Sequence, residues 1–114
     1  MPYVKIETNV EIAADKAEKI LAAVIEASAP ISGKAVERYQ GCIAAGSNMR
    51  IAGGKFPTAH VDYRTVGIGD TAKALSAGIC GILEKELGIP GDRIYITFQV
   101  FEGTMWGKNG TTVS

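Results

Sequence analysis

The sequence predicts an α+β fold as a single domain over residues 1–114: two strand–helix–strand units forming a four-stranded mixed sheet with two helices on one face, plus short edge strands. Three observations lead there. Tyr3 to Thr8, Thr58 to Val66 and Arg93 to Phe101 alternate apolar and polar residues, the period of a half-buried strand. Two other stretches repeat apolar residues at helical spacing. Turn residues punctuate the chain so that strand, helix, strand occurs twice in succession.

In the first strand Val4, Ile6 and Thr8 share one face, and Tyr3, Lys5 and Glu7 the other. Asp15 is positioned to cap the first helix, with Glu18 three residues on to close a capping box. Ala17, Ile20, Leu21, Val24 and Ala27/Ser28 give this helix one apolar stripe. Ala29-Pro30 is expected to limit it, because the residue before a proline is pushed out of the α region. Ser32-Gly33-Lys34 is the turn that follows. A second, less regular strand runs from Glu37 to Ala45 and ends at Gly46-Ser47-Asn48. Met49-Arg50-Ile51 is a candidate edge strand before Gly53-Gly54, a glycine pair with neither the helix start nor the lysine-serine pair of a phosphate loop.

The third strand, Thr58 to Val66, leads to a second helix that Asp70 is expected to cap. Its stripe is Leu75, Ile79, Ile82, Leu83 and Leu87, and Ala74, Ala77, Gly78 and Gly81 permit close packing on a sheet. Gly88 suits a left-handed C-terminal cap, and Pro90 follows it. Arg93 to Phe101 is the clearest strand, with Ile94, Ile96, Phe98 and Val100 opposite Tyr95, Thr97, Gln99 and Phe101. In the tail, Asn109-Gly110 is a good hairpin dipeptide. The sheet face away from the helices carries Lys5, Glu7, Arg38, Gln40, His60, Asp62, Arg64, Tyr95, Thr97 and Gln99. Such a face suits solvent or a polar passage in an oligomer.

Composition narrows the function. Twelve basic residues balance twelve acidic ones, which argues against a nucleic-acid footprint, and the strand order shared with RNA-recognition modules comes without their aromatic strand. No apolar run approaches the ~20 residues that span a bilayer, and no basic region precedes an apolar stretch at the N-terminus, so a cytoplasmic protein is expected. One histidine, His60, and two distant cysteines, Cys42 and Cys80, form no metal-ligand cluster and no redox pair, so neither a metal nor a cofactor is expected.

The residue that stands out is Pro2. With Met1 removed, its nitrogen becomes a secondary amine on a rigid ring with no rotamers to order. In an apolar pocket such an amine is neutral near pH 7 and can carry a proton. With Met1 retained, the same nitrogen is an amide without basicity.

The chain resembles the macrophage migration inhibitory factor (MIF) branch of the tautomerase superfamily. The resemblance is carried by Met1-Pro2, Thr8-Asn9-Val10, Ser32-Gly33-Lys34, Gly53-Gly54, Thr65-Val66-Gly67, Asp92-Arg93-Ile94-Tyr95-Ile96 and Trp106-Gly107-Lys108-Asn109-Gly110-Thr111-Thr112, in that order over essentially the whole length. It implies a homotrimer around a central channel, with active sites at subunit interfaces. By position it implies Pro2 as catalytic base and acid, Lys34 on a substrate carboxylate, Val66 acting through its backbone, Tyr95 from the adjacent subunit and Trp106 as an aromatic wall. Tyr39 or Arg38 would add to the wall, the alignment slipping by one residue there. Thr97 stands where the family has an asparagine that also meets the substrate, and Val113 stands where it has an aromatic; both bear on the substrate rather than the fold.

The activity the resemblance implies is keto–enol tautomerisation of phenylpyruvate-type small acids, with dopachrome-type acids as a further candidate substrate. An α-amine of ordinary pKa ~8 is about one-tenth free base at pH 7, and a two-unit depression makes it about nine-tenths free base. The alternative is a MIF-like interaction protein, a cytokine that keeps the fold without catalysis. Decarboxylation or dehalogenation of small acids by the same proline also remains open.

Overall fold

The computed structural model describes all residues, 1–114. The first strand, β1 (Tyr3–Thr8), leads into α1 (Ala14–Ser32) and, after a 3-10 turn over Val36–Arg38, into β2 (Gln40–Ala44). The second unit is β3 (Ala59–Thr65), α2 (Ala72–Leu87) and β4 (Ile94–Val100), followed by a hairpin of β5 (Gly107–Lys108) and β6 (Thr111–Thr112). The sheet order is β2-β1-β3-β4. β1 and β2 are parallel, as are β3 and β4, and β1 meets β3 antiparallel. The four-stranded mixed sheet expected from the sequence is thus present.

Alternation decides the two faces. Val4, Ile6, Val61, Tyr63 and Ile94 turn inward and meet Ile20 and Val24 of α1 and Leu75, Ile79 and Leu83 of α2 in one core. Burying an aliphatic side chain of this kind contributes roughly 1.5–3 kcal/mol. The other face shows cross-strand rows Gln40–Tyr3–Arg64–Gln99, Cys42–Lys5–Asp62–Thr97 and Ala44–Glu7–His60–Tyr95. Arg38, which the sequence reading put on this face, sits in the 3-10 turn before β2 instead.

Several local expectations are corrected. Asp15 does not cap α1: Ala13 is the N-cap residue, without a side-chain bond, and Asp15 lies in the first turn. A carboxylate there still suits the positive end of the helix. Pro30 lies inside α1, which continues to Ser32 and stops at Gly33 in the left-handed conformation, φ 71°. The ring removes only the bond to the carbonyl of Glu26, and both residues are on the exposed side of the helix. Asp70 does not cap α2; Thr71 precedes the helix and sends its hydroxyl back to the carbonyl of Ile68 at 2.6 Å. Gly88 is left-handed at the end of α2, as its place before Pro90 predicts. The segment 49–51 adds no strand to the sheet; Ile51 and Gly54 close a tight turn by two reciprocal backbone bonds of 2.9 and 3.0 Å.

Candidate active site

Pro2 lies directly before β1, at the end of the central strand pair, and is buried. Its carbonyl accepts the N–H of Gln40 at 3.0 Å, so the parallel β1–β2 ladder holds it in place. The cleft in front of it, about 190 Å³, is lined by Met1, Pro2, Arg38, Gln40, Trp106, Gly107 and Lys108. Arg38 arrives from the turn ahead of β2, and Trp106 and Lys108 from the tail hairpin. The α-amine of Met1 has its pKa lowered from the ordinary value, first by burial and then by the positive charges of Lys34, Arg38 and Lys108. Protonating an amine here adds another positive charge to a cationic neighbourhood that is partly shielded from water.

Lys34 is positioned by the end of α1. The Ser32 hydroxyl donates to the carbonyl of Ala29 at 3.1 Å and accepts the Lys34 backbone N–H at 3.2 Å. Left-handed Gly33 turns the chain so that Lys34 crosses to β3, where its Nζ donates to the carbonyl of Val66 at 2.9 Å. Lys34 and Val66 are therefore brought together, with Lys34 close enough to act on the terminal amine.

Tyr39 and Arg38 separate clearly. Arg38 lines the Pro2 cleft. Tyr39 turns away, its hydroxyl 2.7 Å from Ser32 Oγ and 2.6 Å from the hydroxyl of buried Tyr63. Burial first, and the bond with Tyr39 second, push the Tyr63 phenol well above its ordinary range.

Tyr95 and Thr97 are not brought to Pro2 within one chain. Tyr95 is 60% exposed and lines a separate cleft with Ile51, Phe56, Asp92 and Arg93. Thr97 Oγ1 is 3.1 Å from His60 Nε2 on the open sheet face. Trp106 lines the Pro2 cleft and a neighbouring hollow of about 380 Å³, where Phe101 meets it edge-on at 5.6 Å. Sequence reasoning missed Lys108 and Gln40 as neighbours of Pro2. The Asn109-Gly110 turn was the available signal, since a tight hairpin folds Lys108 back toward the body of the chain.

Thr8 and Asn9 of the Thr8-Asn9-Val10 motif hold the loop over residues 56–58 and do not line the Pro2 cleft. Thr8 Oγ1 donates to the Thr58 carbonyl at 2.7 Å, and the Asn9 amide accepts the Thr58 N–H at 2.9 Å and donates to the Phe56 carbonyl at 2.8 Å. No helix is long and apolar enough to cross a membrane.

Comparison with known proteins agrees over the full length. The family model for macrophage migration inhibitory factor (MIF) matches residues 1–114. Among curated relatives, D-dopachrome decarboxylase-B of Xenopus laevis is 33% identical over 120 residues, covering 100% of this chain and 98% of that protein. D-dopachrome decarboxylase of Gallus gallus is likewise 33% identical, over 118 residues and the same shares of each chain. Among solved structures, the macrophage migration inhibitory factor homologue from Prochlorococcus marinus superposes with a TM-score of 0.92 at 32% identity, covering 98% of this chain and 99% of that one. With its mixed sheet, its buried Pro2 and a match from first residue to last, the chain belongs to the MIF family of the tautomerase superfamily.

Proposed function

We propose that, with Met1 removed, the protein is a keto–enol tautomerase of phenylpyruvate-type 2-oxo acids, with Pro2 as general base and acid. The observation that carries this reading is the placement of a buried Pro2 in a cleft whose charges favour a neutral amine. Met1 itself lines the cleft, so its removal both frees the Pro2 nitrogen and opens space before it. The nitrogen takes a proton from the carbon beside the carbonyl. As an ammonium it then delivers a proton to the enolate oxygen, and the reverse order gives ketonisation. Lys34 faces the substrate carboxylate and steadies the developing negative charge. Val66 contributes through its backbone, and Trp106 supplies an apolar wall.

The site is completed by a homotrimer in this reading. Tyr95 and Thr97 lie apart from Pro2 in one chain, and an adjacent subunit brings its own pair to the cleft. The names of the curated relatives support a second substrate, D-dopachrome, whose decarboxylation with tautomerisation would use the same cationic cleft.

The test is an intact mass to establish loss of Met1, then tautomerase assays with phenylpyruvate and D-dopachrome on the wild type and on Pro2→Gly. A drop of about 10²–10⁴-fold in Pro2→Gly, the usual worth of general acid–base catalysis, supports the mechanism. Unchanged turnover in a correctly folded variant removes it.

A further inference from the structure

The end of α1 is held differently from the end of α2. At α2 the N–H of left-handed Gly88 bonds the carbonyl of Glu84 at 2.9 Å. At α1 neither Gly33 nor Lys34 gives its N–H to a backbone carbonyl. The Lys34 N–H goes to the Ser32 hydroxyl instead, at 3.2 Å. No atom lies within 4 Å of where a Cβ on Gly33 would stand, so packing at that residue does not hold the turn either. Ser32 is in turn tied to the core: its hydroxyl is 2.7 Å from that of Tyr39, which is 2.6 Å from that of Tyr63. Tyr63 is fully buried in β3, with its ring centroid 5.6 Å from that of Phe98 on β4. At the end of the same strand the carbonyl of Val66 accepts Lys34 Nζ at 2.9 Å. Lys34 is thus tied to the β3 segment twice, directly by its ammonium and, from its backbone N–H, through the hydroxyls of Ser32, Tyr39 and Tyr63.

We propose that Ser32, Tyr39 and Tyr63 are positioning residues for Lys34: their chain of hydroxyls fixes the turn from which its ammonium reaches the Pro2 site. This rests on the reading of Lys34 as the partner of the substrate carboxylate and deepens it by naming what aims it. A lysine ammonium sits on a flexible four-carbon stem, so its placement depends on how well the backbone beneath it is held. The ammonium has three donors and can keep the Val66 carbonyl while it reaches for a carboxylate. The tie at the backbone then limits how far the stem swings, and a misplacement of about 1 Å at an active site can cost ~10²-fold in rate. Tyr39 also lies between Arg38, which lines the Pro2 cleft, and Gln40, whose N–H bonds the Pro2 carbonyl at 3.0 Å. One anchored phenol therefore steadies the whole segment 34–40.

The experiment uses three variants and a double-mutant cycle. Ser32→Ala removes the acceptor of the Lys34 N–H, and Ser32→Thr keeps it. Tyr39→Phe combined with Tyr63→Phe removes both phenol hydroxyls, keeps both rings and leaves no unpaired donor in the core, so its urea unfolding should stay close to that of the wild type. Ser32→Ala and the double phenylalanine variant should each lower kcat/KM for phenylpyruvate about three- to tenfold, while Ser32→Thr stays within about twofold. In a Lys34→Ala background the same substitutions should cost nothing further, because they act through Lys34. Calorimetry with 3-phenylpropionate, an unreactive monocarboxylate, repeats the cycle without turnover: affinity should fall in Ser32→Ala and in Lys34→Ala, and no further when the two are combined. Wild-type kcat/KM and affinity in the double phenylalanine variant overturn the proposal. So do losses that persist in full beside Lys34→Ala, or 3-phenylpropionate binding that Lys34→Ala leaves unchanged. The two readings fail separately. Pro2-dependent turnover with an additive cycle removes only this inference. A coupled cycle in 3-phenylpropionate binding with no Pro2-dependent turnover removes only the tautomerase.

Discussion

Ser32 has one hydroxyl proton and three polar partners, and that arithmetic orders a chain of hydrogen bonds. Its proton goes to the Ala29 carbonyl, so the Tyr39 hydroxyl at 2.7 Å must donate to Ser32. The Tyr63 hydroxyl at 2.6 Å must then donate to Tyr39. Tyr63 is fully buried, so Tyr39→Phe leaves its hydroxyl without an acceptor, whereas Tyr63→Phe leaves Tyr39 still bonded to Ser32. Urea unfolding should show Tyr39→Phe losing about 1–3 kcal/mol and Tyr63→Phe distinctly less. The same scale sets the pH response of Pro2. The Met1 α-amine at this cleft has its pKa lowered, first by burial and then by Lys34, Arg38 and Lys108. An amine freed at Pro2 by loss of Met1 meets the same surroundings, so the acid limb of kcat/KM should have its midpoint below the ordinary α-amine value of about 8. Arg38→Gln removes one of these cations, so the midpoint should rise and activity should fall more at pH 7 than at pH 9. A midpoint that stays put would dissociate Arg38 from the proline.

At the scale of elements, the approach of α1 to β2 is set by a residue with no side chain. A Cβ on Gly41 would lie 3.0 Å from Leu21 Cδ1, 3.2 Å from Ile25 Cδ1 and 3.3 Å from the carbonyl oxygen of Val4. The first two contacts can yield by rotamer changes, but the carbonyl belongs to the β1–β2 ladder and cannot. Gly41→Ala should therefore destabilise by roughly 1–3 kcal/mol, the usual cost of overpacking. In the second unit, Leu75, Ile79 and Leu83 form one buried line along α2. Leu83→Ala should cost about 2–5 kcal/mol in thermal or denaturant unfolding, through lost burial and the cavity left behind. The helix starts were misplaced because Asp15 and Asp70 satisfy a cap pattern that neighbouring residues also permit, and backbone geometry settled the choice. The end of α2 was legible because Gly88 occupies a left-handed conformation that other residues adopt at a cost, whereas α1 runs past the expected stop at Ala29-Pro30 to left-handed Gly33.

At the scale of the whole molecule, one chain is elongated, 43 × 28 × 24 Å, with a radius of gyration of 14.4 Å against about 13 Å for a compact chain of this length. The tail contributes to this shape: β5 and β6 pair only with each other, and their residues are exposed. The main sheet also leaves β2 and β4 as open edges. These are the surfaces a trimer would use. Light scattering should give about three times the 12.0 kDa chain mass. A monomer that is fully active would rule out sites completed by a neighbour.

Much of this architecture was determined by the sequence alone. The inward faces of β1, β3 and β4, the apolar stripes of both helices, the Gly88 stop and the Asn109-Gly110 turn, with φ of 52° and 76°, all follow from residues within a few positions of one another. Pro2 and Lys34 were legible as candidate chemistry through their motifs. Tertiary structure alone decided which charges meet. Arg38 and Lys108 are 70 residues apart, and they share a cleft because β2 lies parallel beside β1 while the tail hairpin folds back to its end. It also turned Tyr39 toward Tyr63 and set Tyr95 in a different cleft from Pro2. Local periodicity reports how each residue faces its own element; the partner across a strand or at a chain end depends on register and crossing, which no short window contains.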